Sequence, residues 1–308
     1  MLQILATRLL SALAVVLGVV TIVFLFIHLI PGDPVDVMLG ESARPADRIE
    51  LRQALGLDRS LPVQWGEYLG GLLQLDLGQS LHSRRPVAEL LAERIPETAK
   101  LAAAGLLIAI LLALPLGTLA ALRKDTAWDR GAMAFAMLGV SIPNFWLGPV
   151  LILVFSLWLG WFPVSGNEGP AALVLPTITL GTALAAILSR MLRSALLEVL
   201  GEDFIRTARA KGLVPAQVVL RHALRNAGLP LLTILGLQLG TLLGGAVITE
   251  AVFSWPGLGS LTIEAIQGRD YPVVQACVLV ISLAYVGVNT LTDMLYAVLD
   301  PRIREQRP

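Results

Sequence analysis

The side chains able to do chemistry are few. Three histidines, His28, His82 and His222, lie far apart and show no metal-ligand spacing. His28 stands near the end of an apolar run, where it could touch a carried metal, but one imidazole makes no metal site. The one cysteine, Cys277, sits inside another apolar run, so an internal disulfide and a cysteine metal cluster are both ruled out. It reads as a small buried hydrophobe. No Gly-x-x-x-x-Gly-Lys-Ser/Thr phosphate loop and no Gly-x-Ser-x-Gly elbow occurs. The chain therefore has no such route to ATP and no catalytic constellation, and it reads as a non-enzyme. What remains is of two kinds: polar side chains within apolar runs, and one basic loop. The polar set is Asn144, Gln238, Glu250, Asn289 and Asp293. Polar groups in hydrocarbon are costly and often mark a pathway. Asn289 and Asp293 are four apart on one helix face, as are Tyr285 and Asn289. Such a stripe either lines a path or bonds to neighbouring helices. Glu250 reads as close to an outer interface, where its charge is inexpensive.

The elements that must position these groups follow from composition. The 308 residues are 56% hydrophobic and 15% charged, too apolar for an ordinary water-soluble domain. The formal net charge is zero, so no bulk field argues for nucleic acid. About 20 residues cross roughly 30 Å of hydrocarbon as a helix. Six stretches approach that length: 9–30, 98–122, 131–159, 171–192, 229–253 and 272–299. Helices are the expected form because each backbone amide must be satisfied within its own segment. The first is too long for a signal-peptide core and is followed by Pro-Gly-Asp-Pro at 31–34 rather than a cleavage site, so it reads as a retained anchor. Pro115, Pro143, Pro149 and Pro176 fall inside spans, where neighbouring helices can absorb a kink. Gly236, Gly240 and Gly244 recur every fourth residue and predict a close helix contact. The expectation is an all-α polytopic bundle of six spans, embedded in a lipid bilayer.

Lys and Arg accumulate on the cytoplasmic side of short loops. Arg123, Lys124 and Arg130 follow span two. Arg190, Arg193, Arg206, Arg209, Lys211, Arg221 and Arg225 lie at or between spans four and five. Arg8 precedes span one, and Arg302, Arg304 and Arg307 close the chain. The loop 160–170 carries no Lys or Arg, and 254–271 carries only Arg269. Both termini are thus expected in the cytoplasm. Segment 31–97 exceeds the length over which the charge rule operates and is expected outside, with a helix over 48–55, a stop at Gly56 and a second amphipathic helix over 65–75. Trp158, Trp161 and Trp255 fall at outer span ends and suggest an interfacial belt.

The basic loop 193–228 is the most informative stretch. Glu202 and Asp203 suit the positive end of a short helix that continues through Phe204, Arg206, Thr207, Ala208, Arg209 and Ala210. Lys211 closes it and Gly212 supplies a left-handed cap before Leu213. Pro215 suits the first turn of a second helix, which carries Arg221 and His222. The pattern is helix, sharp turn, helix. One reading is a docking lever for a cytoplasmic protein, the other an ordinary basic loop on anionic headgroups.

This loop resembles the coupling loop of permease subunits of ATP-binding cassette importers, whose Glu-Ala-Ala, three residues, Gly pattern enters a cleft on the ATPase. Gly212 and Ala208 match; Arg206 and Thr207 replace the Glu and first Ala. The string Arg-Thr-Ala-Arg-Ala-Lys-Gly (206–212) with Arg-His-Ala-Leu-Arg-Asn (221–226) is similar to the B-type permeases of dipeptide, oligopeptide and nickel importers. Further segments support that subfamily: Pro-Gly-Asp-Pro (31–34), Leu-Gly-Leu-Asp (55–58), Asp-Leu-Gly-Gln-Ser (76–80), Ser-Ile-Pro-Asn-Phe-Trp (141–146), Phe-Ser-Trp-Pro-Gly-Leu-Gly (253–259), Arg-Asp-Tyr-Pro-Val (269–273) and Asp-Pro-Arg-Ile-Arg (300–304). The resemblance implies a type I importer fold with an anchor over 1–30, an extracytoplasmic segment over 31–97, a transmembrane domain over 98–299 and a tail over 300–308. It also implies a homologous second permease, two cytoplasmic ATPases holding ATP and Mg, and an extracytoplasmic binding protein, all at a bacterial or archaeal inner membrane. Short peptides lead as substrate, ahead of nickel chelates and glutathione. Rivals from other classes are an ion-coupled secondary transporter, which should show an internal repeat and intramembrane charge pairs, and a membrane scaffold, which has no need of the helix–Gly–helix loop.

Overall fold

The computed structural model describes residues 2–29, 34–40 and 44–299. Among them there is no strand, only an isolated antiparallel bridge between Gln79 and Pro86. The motifs at 31–33 and 300–304, and with them Arg302, Arg304 and Arg307, lie outside the described residues. The chain divides into two compact units, one formed by Met1–Thr98 and Pro256–Val286, the other by Ala99–Trp255 and Gly287–Pro308.

The first unit holds α1 (Leu2–Leu29), α2 (Pro34–Leu39), α3 (Pro45–Ala54), α4 (Leu61–Leu73) and the start of α5 (Val87–Leu122). It also holds α12 (Leu258–Gly268) and the start of α13 (Tyr271–Leu299). Helix α3 ends as the sequence predicts: Gly56 has φ +68°, a conformation open to glycine. Helix α4 begins four residues earlier than expected because Pro62 suits a first helical turn after Ser60. Helix α12 falls in a stretch read above as a loop. Its core is built from Val87 and Leu91 of α5, Leu258, Leu261 and Ala265 of α12, and Val273, Val274 and Cys277 of α13.

The second unit holds the rest of α5, then α6 (Ala127–Ser141), α7 (Asn144–Leu151), α8 (Val174–Val199), α9 (Asp203–Ala210), α10 (Pro215–Gln217) and α11 (Leu224–Phe253). A wider π-type turn over Ile152–Trp158 extends α7, and another over Val218–Ala223 joins α10 to α11. Helix α8 is the central one. It buries Leu175, Leu184, Leu188, Leu192 and Leu196 and packs on α6, α7 and α11.

Among the described residues, three helical stretches are long and apolar enough to cross a membrane: Val87–Leu122, Pro170–Val199 and Tyr271–Thr292. The single span expected over 131–159 is instead two helices, Ala127–Ser141 and Asn144–Trp158, bent by 104°. Pro143 is the cause. Its ring bars the preceding residue from helical geometry, and Ile142 is extended at φ −88°, ψ 116°. The stretch over 229–253 is bent by 47° between Pro230–Leu242 and Gly244–Phe253. The first stretch contributes a shorter apolar helix, Leu13–Leu25, within α1.

Candidate functional site

The basic loop folds from local signals. Glu202 is extended at the N-cap position of α9, which runs Asp203–Ala210, with Lys211 at its C-cap. Gly212 has φ +79°. Its amide donates to the Arg209 carbonyl at 3.0 Å, and the Leu213 amide donates to the Ala208 carbonyl at 3.4 Å. These two bonds close the helix in a Schellman turn. Pro215 occupies the first turn of α10 as expected. One face of α9 is an anchor: Ile205 and Ala208 are buried with Leu192, Leu196, Val218 and Ala223. Burying the Ile205 side chain is worth about 2 kcal/mol. The opposite face is free of this core. Phe204, Arg206, Thr207, Arg209, Ala210, Lys211 and Gly212 are exposed. Arg206 makes only a 3.3 Å surface pair with Asp203, itself exposed. Leu213 and His222 are half-buried, and Arg221 is exposed on the π-type turn against which α9 packs. The arrangement is a short, rigid rod with a cationic face and one aromatic side chain at its start.

The polar residues within spans do not form one cluster. Asn144 is the first residue of α7, immediately after the Pro143 break, and is half-buried. Its amide nitrogen would sit 3.3 Å from a Cβ at Gly245 of α11. Gln238 and Asn289 are half-buried. The side chain of Asp293 lies outside the described residues. Glu250 corrects the expectation of a cheap interfacial position, because it is completely buried. Trp255 likewise leaves the expected belt. It is completely buried, with the Lys100 ammonium 5.3 Å from its ring centroid, whereas Trp158 and Trp161 are exposed. The glycine ridge is also revised. A side chain at Gly236 would collide with Thr292, but at Gly244 it would meet open space.

Two quoted motifs meet in the first unit. Ser80, from 76–80, donates to Asp270, from 269–273, at 2.6 Å, and the Leu81 amide donates to the other carboxylate oxygen at 3.1 Å. His82 adds a bond from Nε2 to the Gly268 carbonyl. The motif at 253–259 feeds α12, whose first amide, on Leu258, donates to Thr98 Oγ1 at 2.7 Å. An ion pair that no local signal locates ties α6 to α8. Arg193 grips Asp129 with two bonds of 2.6 Å. The signals were there singly, as a basic residue ending span four and an acid opening span three, but nothing local joined them. Among the described residues no group of three or more His, Cys, Asp and Glu could hold a metal.

Known proteins point the same way. Residues 113–305 match the family model described as binding-protein-dependent transport system inner membrane component, and residues 1–102 match its N-terminal companion. The chain is 44% identical over its whole length, and that of its relative, to the di/tripeptide transport system permease protein DppB of Pseudomonas aeruginosa (strain UCBPP-PA14). It is also 44% identical to the glutathione transport system permease protein GsiC of Salmonella choleraesuis (strain SC-B67), with 99% of each chain covered. The fold is similar to that of a chain from inward-facing structures of the MetNI methionine ABC transporter. There the TM-score is 0.60 at 23% identity, over 69% of this chain and 97% of the other. An all-α bundle with apolar, span-length helices and full-length likeness to importer permeases places this chain in a family: it belongs to the binding-protein-dependent transport system inner membrane components, the permeases of ABC importers.

Proposed function

We propose that this permease forms half of a translocation path for short peptides and is driven through α9 by ATPases on separate chains. The observation that carries the coupling role is the build of α9: an apolar face seated in the core beneath it, a Schellman turn that fixes its end, and Phe204, Arg206, Arg209 and Lys211 left exposed. A rod fixed on one side and charged on the other transmits a push rather than absorbing it. Loop 193–228 then faces the cytoplasm, as do both termini, six helices cross the bilayer, and segment 31–97 with α12 lies outside, where a binding protein would deliver solute. A homologous second permease completes the path. The bend at Pro143 supports a role for Asn144 at the path, since a broken span frees polar backbone where a cavity can use it. ATP and Mg belong to the ATPases. Nucleotide acts by binding the two end states differently, which is the only way it can bias them.

Short peptides are supported by equal likeness to a di/tripeptide permease and to a glutathione permease, glutathione being itself a tripeptide. The test uses membranes that contain the whole transporter. Affinity purification of this chain should recover an ABC ATPase, and Gly212→Trp should abolish peptide uptake with membrane insertion intact. Arg209→Glu should lower substrate-stimulated ATP hydrolysis. Purification without an ATPase, together with normal uptake by Gly212→Trp, would overturn the proposal. Competition between dipeptides and glutathione for uptake separates the two solutes.

A further inference from the structure

His28, one residue from the end of α1, is bonded on both sides of its ring. Nδ1 lies 2.7 Å from the Phe24 carbonyl, and Nε2 lies 3.0 Å from Gln64 Oε1 on α4. A carbonyl oxygen can only accept. The Gln64 amide is oriented by its other end, where its nitrogen donates to the Arg59 carbonyl at 2.8 Å. Turning the amide would set two acceptors face to face at that distance. Both ring nitrogens must therefore donate, and a ring with two N–H groups is an imidazolium. A neutral ring gives up one of the three bonds: with its proton on Nδ1 it meets Gln64 lone pair to lone pair or makes the amide turn and abandon Arg59, and with its proton on Nε2 it keeps Gln64 by a weaker, uncharged bond and meets the Phe24 carbonyl lone pair to lone pair. No lone pair is left on the ring for a metal, which removes the ground for a metal contact at His28.

We propose that His28 is a proton-operated clasp between α1 and α4, closed when the ring is protonated and weakened when it is neutral. Among the described residues the rest of the contact is slight. Trp65 Nε1 donates to Thr21 Oγ1 at 3.3 Å, and Phe24 stacks on Tyr68 at 6.3 Å. The clasp lines a cleft of about 170 Å³, open at one side. From α4 the cleft receives Glu67 and Tyr68, and from α13 it receives Tyr271, whose ring is 5.8 Å from the imidazole. The turn before α4 brings Arg59, which pairs with Glu67. Burial pushes the Tyr68 phenol up to about 12, so it stays neutral. Phe24, at 4.4 Å, and Tyr271 stand within the roughly 6 Å over which an aromatic ring attracts a cation. Of the side-chain types in this cleft, an imidazole is the one whose charge ordinarily changes between about pH 5 and pH 8.

The test uses the assembled transporter in lipid nanodiscs, with ¹⁵N-labelled histidine assigned by His28→Gln. At about pH 5 both His28 nitrogens should carry protons, and at about pH 8 only one should. Over the same interval hydrogen-exchange protection of α4, corrected for intrinsic rates, should fall about tenfold, the worth of one hydrogen bond to a charged group. His28→Gln should abolish that pH dependence. Gln64→Leu should abolish it too while leaving the ring free to titrate, so it carries the test if His28→Gln accumulates poorly. A singly protonated ring at about pH 5, equal α4 protection at both pH values, or pH dependence that survives in both variants would overturn the clasp.

Discussion

The Ser80 hydroxyl donates to the Asp270 carboxylate at 2.6 Å, joining residues 190 positions apart. Asp270 is 4% exposed and also accepts the Leu81 amide. Removing the carboxylate strands the Ser80 hydroxyl and the Leu81 amide, whereas removing the hydroxyl strands one carboxylate oxygen and the Ser83 amide, which donates to Ser80 Oγ at 3.0 Å, while the other oxygen keeps the Leu81 bond. Asp270→Ala should therefore cost about 3 kcal/mol and Ser80→Ala about 2 kcal/mol. Cys277, completely buried in the same unit, is a native reporter. The temperature at which a maleimide dye reaches it should fall clearly further for Asp270→Ala. Equal falls would mean that Asp270 serves Ser80 alone.

A second expectation concerns Arg193 and Asp129. The Asp129 side chain is 5% exposed and that of Arg193 24%, so the pair is buried on one side only. Arg193→Leu strands a carboxylate away from water and should cost about 2–3 kcal/mol, discounted from a fully buried pair because the guanidinium is partly solvated. Asp129→Asn keeps a polar partner and should cost about 1 kcal/mol. The double variant should be less damaging than the sum of the two. Strict additivity of the unfolding midpoints would show that the ends of α6 and α8 are held by something else.

The legible part of this molecule was the part written locally. Helix α9 has its boundaries in the acidic start at Glu202, the glycine at 212 and the proline at 215 that the sequence displays. What stayed hidden depended on distant partners. The first amide of helix α12 donates to Thr98, 160 residues earlier, so its start reads locally as a glycine-rich loop. Arg193 reads as one more basic residue at a span end until folding sets it beside Asp129, 64 residues away. Trp255 has the sequence position of an interfacial aromatic, and only its place in the cluster with Leu101, Leu180 and Ala246 makes it core. Pro143 was visible, but the size of the bend was not, because a proline sets the break while neighbouring helices set its angle.

The glycines sharpen that contrast into a third expectation. Regular spacing drew attention to Gly236, Gly240 and Gly244, yet the tight contact between α5 and α8 is made by unevenly spaced glycines. A Cβ at Gly181 would lie 2.7 Å from the Gly105 carbonyl, and one at Gly117 would lie 2.8 Å from the Ser189 carbonyl. Backbone cannot give way as a side-chain end can. Gly181→Val should cost about 3 kcal/mol or prevent accumulation. Gly244→Ala, facing open space, should accumulate normally and even gain about 0.5–1 kcal/mol of helix propensity. Comparable yields of the two variants in membranes would contradict the close approach of α5 and α8.

The last expectation separates strain from docking at Gly212. Nothing lies within 4 Å of a Cβ built there, and its φ is +79°. A substitution therefore meets no clash within the chain and pays only for the left-handed backbone, about 1 kcal/mol for Ala and less for Asn, which tolerates that conformation. Gly212→Asn and Gly212→Ala should leave thermal stability within about 1 kcal/mol of the parent. Gly212→Trp should do the same, apart from a similar backbone cost, because its bulk projects into free space. If peptide-stimulated ATP hydrolysis falls in the order Asn, Ala, Trp while the unfolding midpoints stay close together, the lost space was a partner's. A fall in hydrolysis that simply tracks the unfolding midpoint would assign Gly212 to the folding of α9 alone.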